Sequence, residues 1–85
     1  SLVSPQSLQI ELNILFDKLS NEVRQLNIDQ ANGILHEMRG LSGMFGKVLL
    51  SQQIADLEWV LKAGETEENL SNLFAEIKIS ISDLC

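Results

Sequence analysis

Apolar residues recur every three or four positions along almost all of this 85-residue chain, and that spacing limits its fold more than any other feature. A period near 3.6 residues indicates helices that each bury one face. The chain has no tyrosine, and its valines and isoleucines are scattered among leucines at the same helical spacing. The pattern therefore predicts an all-α protein.

Cap residues divide the first half of the pattern into two helices. Ser4-Pro5 starts the first helix, because serine is a favoured N-cap and proline suits the first helical position. This helix is predicted to run to about Leu26. Asn27-Ile28-Asp29 makes a tight connection, in which Asp29 caps the second helix and interacts favourably with its positive end. The second helix is predicted to end near Gly46.

The second half divides in the same way. A third helix is predicted over about 48–63 and is closed by Gly64, and Thr66 caps a fourth helix whose first turn is acidic. Helices of matched length joined by short loops predict an antiparallel, up-down-up-down four-helix bundle. The residues predicted to face its core are Leu8, Leu12, Leu15, Phe16, Leu19, Val23, Leu26, Ala31, Ile34, Leu35, Met38, Leu41, Ser42, Phe45, Leu50, Ile54, Leu57, Leu61, Leu70, Leu73, Phe74, Ile77, Ile81 and Leu84.

Length and charge restrict the function. Residues 1–85 make one domain, with residues 1–4 expected to be frayed or linker, and so short a chain holds one core and no deep enclosed pocket. The net charge of −6 argues against binding to nucleic acid or to an anionic membrane surface. No apolar run is long enough to span a bilayer and no secretory leader is visible, and Cys85 is single, so we expect a cytoplasmic protein with a free thiol.

One stretch, residues 35–46, departs from an ordinary solvated helix. It holds the only histidine, His36, and three of the five glycines. His36 projects away from the apolar stripe, and Gly33, Gly40 and Gly43 lie on its side of the helix. Each glycine inside a helix costs about 1 kcal/mol relative to alanine. This loss of stability suggests that the glycines keep the imidazole accessible to another molecule, although close packing of a neighbouring helix is an alternative reason for them.

Arg39 is the one bulky neighbour of His36 on this surface. Its guanidinium is permanently charged and its fork of donors fits phosphate oxygens. An accessible imidazole, a cation one turn away and space for a second molecule together suggest phosphoryl chemistry. The alternative is a histidine and an arginine that are merely solvated.

The pattern His36-x-x-Arg39-Gly40-x-x-Gly43-x-x-Gly46 resembles the histidine-containing phosphotransfer (HPt) domain, whose signature is His-x-x-Lys-Gly with a further glycine six residues after the first glycine. Leu57-Glu58 and Ala63-Gly64-Glu65 are similar to that family's next helix and its end. The resemblance covers roughly residues 5–84. Arg39 stands where the family usually has lysine, and a planar fork is not equivalent to a mobile ammonium group.

The resemblance implies a role for each of these residues. His36 would be the phosphorylated nucleophile, attacking through Nε2, and Arg39 would stabilise the phosphoryl charge. Glu58 would hold the other ring nitrogen and orient the imidazole, as a glutamate does in some family members. Gly33, Gly40 and Gly43 would give clearance to the partner. The chain would act as a monomeric carrier without catalytic activity, cofactor or metal of its own, and its partners would be receiver domains.

Two other functions stay open. The chain is also similar to the phosphorylated module of chemotaxis-type histidine kinases, in which the donor is ATP on a kinase domain. A helical adaptor that binds partners without transferring phosphate is the other alternative.

Overall fold

The computed structural model describes residues 4–64 and 66–85 and contains four α-helices. They are α1 (Pro5–Arg24), α2 (Ile28–Met44), α3 (Val48–Ala63) and α4 (Glu67–Ser82). Each helix packs on its neighbours along the chain, and α1 also packs on α4, so the described residues form an all-α four-helix bundle. The up-down-up-down orientation stays a prediction. Of residues 1–4, predicted to be frayed or linker, only Ser4 lies within the described residues.

The caps explain where most of the helices begin and end. The Ser4 side chain accepts a hydrogen bond from the Ser7 backbone N–H at 3.1 Å, and Thr66 accepts one from the Asn69 N–H at 3.3 Å, as predicted. Gly46 follows the end of α2 with φ +71°, a left-handed conformation that glycine adopts without a steric cost. Gly64 ends α3 in the same conformation.

Two predictions at the α1–α2 connection are wrong. Helix α1 ends at Arg24, and Leu26 is 80% exposed with φ +60°, instead of facing the core. The cap position of α2 is Asn27, which makes no side-chain cap hydrogen bond, and Asp29 lies inside the first turn. Asp29 is still well placed to interact with the positive end of the helix dipole.

The core follows the predicted apolar stripes. Its buried members, all from the predicted set, are Leu8, Leu12, Leu15, Phe16, Leu19, Ala31, Leu35, Met38, Leu50, Ile54, Leu57, Leu61, Ile77 and Ile81. Ser42 is fully buried among them, and its hydroxyl donates a 2.8 Å hydrogen bond to the Met38 carbonyl oxygen. A buried hydroxyl that finds such an acceptor avoids most of the cost of leaving water. The predicted residues of α4 other than Ile77 and Ile81 are only partly buried.

Hydrogen bonds between helices add specific links to this core. The Gln9 side-chain amide on α1 donates to the Ile81 carbonyl oxygen at 3.0 Å, and the Ser80 hydroxyl on α4 donates to Gln53 on α3 at 2.6 Å. Helix α2 is held against α3 on the surface that carries His36.

None of the helices within the described residues is long and apolar enough to cross a membrane.

Candidate functional site

His36 stands in the middle of α2 with its side chain exposed to solvent. Leu35, directly before His36, is fully buried, and so is Met38, two positions after His36. Because successive helical residues differ by about 100° in direction, burial of these apolar side chains turns the imidazole outward. The predicted exposure of the only histidine is confirmed, and the rigid core beneath it fixes where the ring emerges.

The glycines beside His36 leave real space on the surface. A Cβ atom added to Gly33 or Gly40 would meet nothing within 4 Å. A Cβ added to Gly43 would lie 3.8 Å from the Ser51 hydroxyl, which is an ordinary contact. Close approach of a neighbouring helix therefore does not require glycine at any of these three positions.

Arg39 reaches back along α2 to the imidazole. Its Nη2 atom lies 3.3 Å from Nδ1 of His36. Side chains three residues apart share one surface of a helix, and long ones lean towards its N-terminus, so the pair follows directly from the sequence spacing. The arginine predicted to accompany His36 is thus in contact with the ring itself.

Glu58 belongs to α3 and lies at its boundary with α2. Only 13% of its side chain is exposed. Its Oε1 atom is 3.1 Å from Nη1 of Arg39, and its Oε2 atom is 3.9 Å from the Lys62 ammonium group. No hydrogen bond joins Glu58 to the imidazole within residues 4–64 and 66–85. The structure connects this carboxylate to the ring indirectly, through the guanidinium of Arg39.

Three residues near the site were not singled out by the sequence. Lys62 adds a second cation beside Glu58, at the i,i+4 spacing that would have indicated it. The Ser51 hydroxyl donates to the Arg39 carbonyl oxygen at 3.5 Å and so links α3 to α2 directly beside the site. Asn32, one turn before His36, has a buried Oδ1 atom that lacks any hydrogen-bond partner among the described residues. Only its position four residues before the histidine could have suggested Asn32.

The site is an open surface with one nucleophile and one adjacent cation. Within the described part of the chain, no group of three or more His, Cys, Asp and Glu side chains is arranged to hold a metal ion. The imidazole can act as a nucleophile or hydrogen-bonding group towards a reactant that another molecule carries. The guanidinium beside it provides a binding site for oxyanions.

Comparison of the chain with models of protein families, with curated proteins and with solved structures finds no match.

Proposed function

We propose that the chain is a phosphoryl carrier of the HPt type, in which His36 accepts a phosphoryl group from a receiver-domain aspartate and passes it to another. The observation that carries this proposal is the exposed imidazole with a guanidinium 3.3 Å from its ring. This surface therefore provides a nucleophile, a positive charge that balances the charge of a phosphoryl group, and free access from solvent.

The transfer itself needs little from this chain. A lone pair of the neutral imidazole attacks phosphorus, the N–P bond forms, and the P–O bond to the aspartyl group breaks. The carboxylate leaves with the bonding electrons, and the reverse reaction passes the group to the next aspartate. Phosphoryl transfer depends mainly on positioning and electrostatic stabilisation, so an open surface suffices when the partner supplies the rest of the site.

The surroundings of the ring favour a large partner over a small substrate. Gly33 and Gly40 leave open space beside His36, as a docked protein surface requires. The acidic net charge of −6 opposes nucleic acid as that partner. Since receiver domains act in the cytoplasm, the proposed function places the chain there, either free or as a module of a larger signalling protein.

The test is transfer of label from a panel of receiver domains charged with radioactive acetyl phosphate. We expect the label to move to this chain, to be labile in acid and stable in base, and to be absent from the His36→Gln variant. Because His36 is exposed, that variant should fold normally, which circular dichroism will verify. A label that survives the substitution, or no transfer from any receiver domain, contradicts the proposal.

The same variant separates the two alternatives. A chain that takes label only from ATP and a purified kinase domain is the chemotaxis-type module. A chain that takes no label, and binds receiver domains equally well with and without the His36→Gln substitution, is an adaptor.

A further inference from the structure

The contact between Arg39 and His36 determines which ring nitrogen carries the proton. The Nη2 atom of Arg39 lies 3.3 Å from Nδ1. A guanidinium has only donors and stays charged in proteins, so Nδ1 must be the acceptor. A neutral ring in this contact therefore carries its hydrogen on Nε2. An Nε2 atom that carries hydrogen has no lone pair with which to attack phosphorus.

We infer that Arg39 and Asn32 are positioning residues that select between the two tautomers of His36: Arg39 holds the resting form, with the proton on Nε2, and Asn32 accepts the hydrogen bond of the reactive form, with the proton on Nδ1. The inference rests on the proposed function and adds to it a control of the nucleophile by this chain's own side chains.

Asn32 is suited to the second position for two reasons. It precedes His36 by one helical turn, and side chains four residues apart on a helix are neighbours. Its Oδ1 atom is buried and has no hydrogen-bond partner among the described residues. A buried acceptor without a partner is unfavourable, and a donor brought to it is correspondingly stabilised. When the ring turns away from Arg39, an Nδ1–H group on it has this acceptor one turn away.

Glu58 keeps Arg39 at the site while the ring changes partner. Its Oε1 atom holds Nη1 at 3.1 Å, whereas Nη2 is the atom that contacts the imidazole. The two ends of the guanidinium therefore have separate partners. Nη2 can leave Nδ1 without detaching the side chain from the boundary between α2 and α3.

A phosphoryl group is a stronger partner for Nη2 than a neutral imidazole is. Hydrogen bonds between a guanidinium and an anionic oxygen are about twice as strong as neutral ones, and they are frequently bidentate. The arrival of an aspartyl phosphate thus draws Nη2 from Nδ1. The exposed ring then releases its Nε2 proton to water and takes up a proton from water at Nδ1, which gives the reactive tautomer. In the attack, the Nε2 lone pair forms the N–P bond and the aspartate leaves with the P–O electrons. The proton on Nδ1 stays on the ring, hydrogen-bonded to Asn32.

The experiment reads the tautomer of His36 from long-range ¹H–¹⁵N correlation spectra of the ¹⁵N-labelled chain, with the ring neutral and no phosphoryl donor present. We expect hydrogen on Nε2 in the parent chain and in Arg39→Lys, which keeps a donor. In Arg39→Met, the ratio of Nδ1–H to Nε2–H should rise about two- to tenfold, as the loss of one net hydrogen bond allows. Adding Asn32→Ala to Arg39→Met should lower that ratio again, because the Nδ1–H form then loses its acceptor.

The outcomes separate this inference from the proposed function. A tautomer ratio that is the same in the parent chain and in Arg39→Met overturns the role of Arg39. A ratio that Asn32→Ala leaves unchanged in the Arg39→Met background overturns the role of Asn32. Because these spectra need no partner, they can fail while receiver domains still label His36, or succeed while none does.

A second measurement uses potassium phosphoramidate, a small phosphoryl donor, on the folded parent chain. We expect Nε2-phosphohistidine, and a slower reaction in Asn32→Ala at unchanged helix content. Formation of Nδ1-phosphohistidine would show that the nitrogen facing Arg39 is the nucleophile, and would overturn the inference.

Discussion

Arg39 on α2 and Glu58 on α3 form a salt bridge with 3.1 Å between Nη1 and Oε1, directly beside the only histidine. The carboxylate is mostly buried, with 13% of the side chain exposed, whereas 39% of the arginine side chain is exposed. Because the arginine end of the pair is open to solvent, which screens its charge, the contribution of the pair to stability is small. Its clearer consequence is positional, because it fixes one end of the guanidinium whose other end reaches His36.

The first prediction is that Glu58→Gln affects transfer more than stability. The free energy of unfolding should fall by about 1 kcal/mol or less, as for other solvent-screened ion pairs. Labelling of His36 by a phosphorylated receiver domain should slow, since Arg39 loses the charge that holds it in place. Urea unfolding and labelling rates measure the two effects. Glu76→Gln on α4 is the matched control, and a labelling rate equal to that control would remove Glu58 from the mechanism.

The second prediction separates stability from access at Gly40. Gly40→Ala should raise the free energy of unfolding by about 0.5–1 kcal/mol, because alanine favours the helix and its Cβ meets nothing within 4 Å. Gly40→Gln should also fold stably, yet its longer side chain occupies the space beside His36. We expect this variant to bind receiver domains more weakly, and receiver-dependent labelling of His36 to fall by at least the same factor.

Ala75→Gln provides the control for that comparison, because Ala75 is an exposed position on α4 and the substitution adds a side chain of the same length. Labelling should be unchanged in this variant. Equal labelling of Gly40→Gln and Ala75→Gln would show that the open space beside the ring has no part in docking.

The third prediction concerns the oligomeric state. Ile10 and Ile14 lie one turn apart on the outer surface of α1. Ile10 is 60% exposed and Ile14 is 46% exposed. Two such side chains form a small apolar area, and scattered apolar residues are normal on monomeric proteins. We expect sedimentation at increasing concentration to give the mass of one chain throughout. A mass that rises with concentration, and returns to one chain in Ile10→Ser, would identify a dimer surface instead.

The helices were predictable from the sequence because burial of one apolar face dominates their stability. The predicted bounds of α3 agree with Val48–Ala63, and its four predicted core residues are all buried. The exposure of His36 followed from the same periodicity. The charged side chains were less predictable. Spacing places Arg39 beside His36, but whether Glu58 contacts the ring or the guanidinium depends on how long side chains pack between two helices.

Loop conformation was the other failure, and Leu26 shows why. Its position continues the apolar stripe of α1, so periodicity extends the helix through it. The chain instead leaves the helix after Arg24, and the Leu26 N–H donates to the Val23 carbonyl oxygen at 3.0 Å. No glycine stands at this turn, so the sequence carries no signal for the left-handed residue that ends the helix.

The last prediction follows from that turn. Leu26 has φ +60°, where a side chain costs about 1–2 kcal/mol, and being 80% exposed it has little burial to lose. Leu26→Gly removes the steric cost but gives the unfolded chain more freedom, which offsets about 0.5–1 kcal/mol of the gain. The free energy of unfolding should therefore rise by up to about 1.5 kcal/mol. Gly64→Ala places a side chain in the same conformation at φ +68° and should lower it, so urea unfolding must move the two variants in opposite directions. A loss of stability in Leu26→Gly would mean that the leucine side chain makes contacts worth more than the strain of its backbone.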